Sequence, residues 1–228
     1  MITHSKRFRE LKSKVQPQMY EIPEAVKLVK ELAKTKFDES VDISIKLGID
    51  HQKEHVRGTA ILPYGTGKTK RVLVFAEGAK IKEAESAGAD FVGSDELLKR
   101  IEDGWFDFDS VVATPNLMPK ISKLGKVLGP KGLMPNPKTG TVTEDVAKAV
   151  KEIKLGKVEF KLDKGGCIHC TVGKISFEEE KLNENVTHLL KAIFGAKPVG
   201  SKGTYFKSVY ISSTMGPGVK LNITSLKF

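Results

Sequence analysis

The chain has 228 residues, 39% hydrophobic and 29% charged, which is enough apolar content for one large or two ordinary cores and excludes a disordered chain. Its net charge of +10 and pI of about 9.4 favour a polyanionic partner, because bound phosphates release counterions. The only cysteines are Cys167 and Cys170, which excludes a secreted disulfide framework, and no apolar run is long enough to span a bilayer.

In chain order, Met1 to Arg9 is basic but leads into no apolar segment, so no secretory leader is expected and a cytosol-like compartment is. A helix is predicted from Pro23, a favoured first-turn residue, with Ala25, Val26, Leu28, Val29, Leu32 and Ala33 at helical spacing. From Phe37 the period becomes two. Phe37, Glu39, Val41, Ile43, Ile45 and Leu47 share one parity, with Glu39 its single polar member, and Asp38, Ser40, Asp42, Ser44 and Lys46 share the other. That pattern is a half-buried strand of an antiparallel sheet. Between Lys70 and Lys157 the texture changes to short apolar strands at Arg71–Ala76, Phe91–Gly93 and Ser110–Thr114. Helices are predicted at Ile81–Ala87, at Asp95–Glu102 and after Thr143, which is positioned to cap the last of them. Alternation returns at Val158, Phe160 and Leu162. A helical stripe follows at Leu182, Val186, Leu189, Leu190 and Ile193, and Tyr205–Ser212 reads as a final strand ending in the turn at Met215-Gly216-Pro217-Gly218.

These elements predict an α/β protein in two parts. Residues 1–66 plus 158–228 form a discontinuous α+β domain, and residues 67–157 an inserted α/β domain.

Charge is unevenly distributed. No acidic residue occurs between Asp109 and Glu144, an interval holding Lys120, Lys123, Lys126, Lys131 and Lys138, and none follows Glu184, after which come Lys191, Lys197, Lys202, Lys207, Lys220 and Lys227. Acid-free stretches of this length point to a phosphate-bearing partner. Within the first, Leu124 to Gly140 is dense in glycine, proline and lysine. Such a segment forbids long regular structure and can offer backbone N–H groups and ammonium groups to phosphates.

Other motifs fail on inspection. Gly65-Thr66-Gly67-Lys68-Thr69 lacks the earlier glycine of a phosphate-binding loop, Leu62 standing in its place, and it precedes an apolar strand. After Arg71–Ala76 there is no dinucleotide glycine fingerprint. Cys167-Ile168-His169-Cys170 contains a C-x-x-C, but no second cluster completes a zinc site, and on a strand Cys167 and His169 share one face with Cys170 on the other. Both cysteines are expected to pack as small hydrophobes. The histidines His4, His51, His55, His169 and His188 are scattered, with no catalytic constellation. No catalytic residue, cofactor or metal is expected.

Taken together, the segment Leu124–Gly140 with its continuation Thr141-Val142, Leu28–Ala33 before Lys36–Glu39, Leu47–Asp50 followed by Val56–Gly58, Phe106–Asp109, Lys202–Gly203 and Lys207–Gly218 resemble the bacterial-type large-subunit ribosomal protein L1 family, which builds the lateral stalk beside the tRNA exit site. The resemblance runs in order over nearly the whole chain. It implies that the inserted domain is a Rossmann-like three-layer α/β domain. It also implies that the terminal domain contacts large-subunit ribosomal RNA of the stalk region through Lys36, Phe37, Ser40, Ser208, Thr214, Met215 and Gly216. To these the lysines of the acid-free loop, Lys126, Lys131 and Lys138, are added as RNA-binding positions. Implied partners are this RNA, exit-site tRNA and the protein's own messenger, whose translation the family represses. The expected state is a monomer outside the ribosome, with no membrane partner, in the cytoplasm or in an organelle. The sequence departs from the family pattern in a shorter segment between Asp50 and Val56, in its two cysteines, in Ser40 where threonine is common, and in Lys131 where arginine is common, which keeps charge but loses planar bidentate geometry. The competing readings are a nucleotide-dependent α/β enzyme and a nonspecific RNA-binding protein.

Overall fold

The computed structural model describes residues 5–49, 54, 56–198 and 203–223. His4, His51, His55, Lys202, Lys227 and most of the shortened segment after Asp50 lie outside the described residues.

In chain order the elements are α1 (Lys6–Ser13), α2 (Ile22–Leu32), β1 (Ser40–Leu47), β2 (Arg57–Ile61), β3 (Val72–Phe75), α3 (Ala79–Ser86), β4 (Phe91–Gly93), α4 (Asp95–Glu102), β5 (Ser110–Ala113), α5 (Met118–Ile121), α6 (Gly125–Leu128), α7 (Val146–Lys154), β6 (Lys157–Lys161), β7 (Cys167–Lys174), α8 (Glu179–Gly195), β8 (Phe206–Ser213) and β9 (Val219–Lys220). Among the described residues no helix is long and apolar enough to cross a membrane. The chain separates into two compact units, residues 1–67 with 158–228, and residues 68–157.

The discontinuous unit is built on a four-stranded sheet of order β7-β1-β8-β9, antiparallel throughout. Strict alternation in β1 buries Val41, Ile43, Ile45 and Leu47. They pack with Val26 and Val29 of α2, Leu182, Val186, Leu189 and Ile193 of α8, and Val209 and Ile211 of β8 in one apolar core. The opposite face carries Asp42, Ser44 and Lys46, paired in register with Thr171, His169 and Cys167 of β7 and with Ser212, Tyr210 and Ser208 of β8. This is a sheet with one face on the core and one facing water. β2 and β6 form a separate two-stranded ribbon.

The contiguous unit is a parallel sheet of order β4-β3-β5. Every residue of β3 is buried because both faces are covered. Val72 and Val74 pack with Val146, Val150 and Ile153 of α7 and Ala84 of α3. Leu73 and Phe75 pack on the other side with Leu97 and Ile101 of α4 and with Leu117, Ile121, Leu124 and Leu128 of the short helical turns. The result is a three-layer α/β arrangement, and the chain as a whole has the α/β class that its pattern predicts.

Four local expectations are corrected. The first strand begins at Ser40, not Phe37. Asp38 is drawn aside to the turn after β7, its carboxylate accepting from Ser176 N at 3.1 Å and Ser176 Oγ at 2.9 Å and its carbonyl from Lys174 Nζ at 2.9 Å. The alternation therefore breaks, and Phe37 is 55% exposed instead of buried. The cap of α7 is Asp145, whose side chain accepts from Lys148 N at 3.2 Å, while Thr143 Oγ1 accepts from Asp145 N. Helix α1, capped by Ser5, has no counterpart among the predicted elements. Only Cys170 packs as a small hydrophobe. It is 5% exposed within the core, and burial pushes its thiol up to about 12. The same alternation turns Cys167 outward with His169.

The Gly65–Thr69 segment is a turn pinned by Asn185 of α8. Asn185 is fully buried. Its Oδ1 accepts from Tyr64 N at 3.2 Å, and its Nδ2 donates to Gly65 O at 2.9 Å and Val172 O at 2.8 Å. Gly67 has φ +73°, and a Cβ there would lie 2.8 Å from Lys174 Cγ and 3.0 Å from the Phe177 ring. The turn thus needs its glycine for conformation and for space, not for phosphate.

Candidate RNA-binding surface

Two segments meet where β1 begins and β8 ends. Ser40 N donates to Thr214 Oγ1 at 3.0 Å, Thr214 N donates to Ser40 O at 3.0 Å, and Thr214 Oγ1 lies 3.3 Å from Ser40 O. The threonine hydroxyl thus extends the β1–β8 ladder by one step and keeps one lone pair for a ligand.

Beneath this junction lies Glu39, only 2% exposed. Its Oε2 accepts from Met215 N at 2.9 Å and its Oε1 from Thr35 Oγ1 at 2.8 Å. Thr35 Oγ1 is also 3.0 Å from Phe37 O, so its single proton is shared between the two acceptors. Burial acts to raise the Glu39 carboxyl, but the hydrogen bonds, chiefly the Met215 N–H, outweigh it and hold the group below its ordinary value. The buried carboxylate thereby holds the backbone of Met215 directly and that of Phe37 through Thr35, and both of these apolar side chains are exposed, Phe37 at 55% and Met215 at 48%. Gly216 is close-fitting, since a Cβ there would lie 2.5 Å from the buried Ser213 Oγ.

The structure therefore brings Phe37, Ser40, Thr214, Met215 and Gly216 into one neighbourhood, with Lys36 exposed on the adjoining bend. Ser208 is not part of it. It lies six residues along β8 from Thr214, about 20 Å away on an extended strand, and its register partner is Lys46.

The three loop lysines lie in the contiguous unit and are all exposed. Lys126 is on α6. Lys138 sits in a 3-10 turn whose start is fixed by Asn136 Oδ1 accepting from Lys138 N at 2.9 Å. Lys131 Nζ stands 3.5 Å from the centroid of the Phe106 ring, a cation–π contact that steadies its charge. Among the described residues no ion pair engages any of the three. Lys120, from the same acid-free interval, is instead paired with Asp95 at 2.9 Å and Glu77 at 3.5 Å.

Two residues that organise this surface, Thr35 and Glu39, are not among the RNA-binding positions expected from the sequence. The available signal was Glu39 itself, a charged residue at a core-parity position, which requires buried partners.

A family model described as the Ribosomal protein L1p/L10e family matches residues 29–217, a span that contains both surface segments and all three loop lysines. The chain is 54% identical over 230 residues to the large ribosomal subunit protein uL1 of Macrococcus caseolyticus (strain JCSC5402), with the whole of both chains covered. A family model over most of the chain and a likeness over its full length together show that the chain belongs to the ribosomal protein L1p/L10e family.

Proposed function

We propose that this protein is a non-enzymatic component of the large ribosomal subunit that binds folded ribosomal RNA through its discontinuous unit. The observation that carries this reading is the pair of exposed apolar side chains, Phe37 and Met215, on backbone held by one buried carboxylate. A rigid aromatic and a polarisable thioether held this way suit contact with sugar and base faces, and the adjoining N–H and hydroxyl groups suit ribose hydroxyls and phosphates. The shape is preorganised, so little ordering cost falls on binding. Lys36 adds charge beside the patch, Ser208 offers a hydroxyl farther along the same face, and Lys126, Lys131 and Lys138 supply a second, sequence-independent phosphate contact.

From the family we also carry over a mobile lateral stalk that assists exit-site tRNA movement and release, repression of translation from the protein's own messenger through the same surface, a cytoplasmic ribosomal location and a monomeric free state. The test is binding of the purified protein to a stalk-region ribosomal RNA fragment and to a scrambled hairpin across a salt series. Strong preference for the fragment, abolished by Phe37→Ala/Met215→Ala, supports specific recognition by this patch. Equal binding to both RNAs overturns it and leaves a nonspecific basic protein. A reporter fused to the protein's own leader, repressed by the wild type and not by that variant, tests the regulatory role.

A further inference from the structure

The exposed face of the sheet carries a second cluster, at the turn between β6 and β7. Asp163, Cys167 and His169 each direct one potential ligand atom to a common point, and these atoms lie within 4.8 Å of one another. The turn that sets them is well defined. Asp163 N donates to Cys167 O at 2.9 Å, Gly166 N to Asp163 O at 3.1 Å, and Cys167 N to Asp163 Oδ1 at 2.7 Å. The second carboxylate oxygen, Oδ2, remains on the side of His169 Nε2, 3.8 Å away. The imidazole is oriented from behind, with Ser44 Oγ 3.0 Å from its Nδ1. When Nδ1–H donates to that hydroxyl, Nε2 presents its lone pair toward Asp163.

We infer that Asp163, Cys167 and His169 form a three-ligand site for a zinc-class divalent ion. The donor set decides the metal. A thiolate and an imidazole select a borderline-soft cation over magnesium or calcium, and three protein ligands leave a fourth position for water. Tetrahedral zinc needs ligand atoms about 3.4–3.8 Å apart, so the cluster must contract by roughly 1 Å. The His169 and Asp163 side chains are 61% and 48% exposed and Cys167 is half-exposed, so rotation about their own bonds accomplishes this without moving the core. On binding, Cys167 releases its thiol proton to solvent and coordinates as thiolate, while His169 binds neutral. Ser44 is the outer partner that accepts from Nδ1–H when Nε2 binds the metal. Lys46, which donates to Gly165 O beside the site, adds a positive charge that opposes the cation. Cys170 takes no part, because it points into the core from the opposite face.

The full chain, reduced and stripped of metal with a chelator, is titrated with cobalt(II) and then zinc. The expected result is a thiolate-to-cobalt charge-transfer band in the near ultraviolet that saturates at one equivalent and is displaced by zinc, with a zinc-dependent rise in Tm of a few degrees. Cys167→Ser removes the band, His169→Ala and Asp163→Asn weaken binding at least tenfold, Ser44→Ala weakens it about tenfold, and Cys170→Ala retains it. Circular dichroism of each variant without metal confirms that it is folded. Absence of the band in the folded wild type, its persistence in Cys167→Ser, or its loss in folded Cys170→Ala overturns the proposal and leaves Asp163 and His169 as an ordinary surface pair.

Discussion

Met215 N donates to Glu39 Oε2 at 2.9 Å across 176 residues of sequence, and this one bond ties the turn after the last long strand to the chain entering the first. Removing the carboxylate leaves the Met215 N–H without its acceptor in a part-buried place and leaves the Thr35 hydroxyl with Phe37 O alone. Glu39→Ala is expected to cost about 2–3 kcal/mol, read as a lower denaturant midpoint at unchanged slope. The pH dependence has a definite sign. Glu39 is held below its ordinary value of 4.5, so its contribution is present above that pH and is lost as pH falls through the lower, folded-state value. The stability advantage of the wild type over Glu39→Gln should therefore be full at neutral pH and shrink in acid.

Phe37 and Met215 are exposed, so their truncation should leave stability within about 0.5 kcal/mol of wild type. Affinity for a stalk-region RNA should fall by about 1–3 kcal/mol for Phe37→Ala, the usual worth of an aromatic stacked on a base, while the salt slope stays unchanged. Lys126→Gln, Lys131→Gln and Lys138→Gln should do the reverse. Each would reduce the salt slope by about 0.9 if it contacts a phosphate, with little change in preference between RNAs. Isothermal binding at four or five salt concentrations separates the two behaviours.

Asn185→Leu should be among the more damaging single changes in the discontinuous unit. It removes three hydrogen bonds at once and leaves Gly65 O and Val172 O without their amide donor. A loss of about 2–4 kcal/mol is expected, measured by thermal or urea unfolding, with no ATP-dependent change in Tm before or after the substitution.

The two cysteines should differ sharply toward a thiol reagent. Cys167 is half-exposed, whereas Cys170 is buried with its thiol pushed up to about 12, so almost no thiolate exists at neutral pH. Mass spectrometry of the folded protein should show one rapid adduct, at Cys167. The second should appear only on unfolding. Equal reaction at both would contradict the burial of Cys170.

Periodicity made much of this molecule legible. Helix α4 and strand β4 stand where their spacing places them, and the change from period two to short apolar strands marks the passage from a one-sided antiparallel sheet to a parallel sheet covered on both faces. What the pattern does not carry is contact between distant segments. Ser40 and Thr214 bond as partners only because β8 lies beside β1. Phe37 obeys the core parity and escapes the core because Ser176 and Lys174 hold Asp38 elsewhere. Thr143 has the chemistry of a cap, and Asp145, two residues on, takes the role because the helix starts two residues later. Likewise, a C-x-x-C spacing draws attention to two cysteines, while the atoms that converge belong to Asp163, Cys167 and His169, set by a turn that no spacing rule encodes.

Strand β1 is hydrogen-bonded to β7 and β8, more than 100 residues later in the chain, whereas β3, β4 and β5 lie within about forty residues of one another. During synthesis the contiguous unit can therefore complete its sheet while the first strand still has no neighbours. The N-terminal segment, with the apolar face of β1, must wait for β7 and β8 to leave the exit tunnel. Long-range pairing of this kind is slow and exposes unpaired strand edges meanwhile. The order of folding thus runs from the middle of the chain outward, and the surface that joins Glu39 to Met215 is among the last features to form.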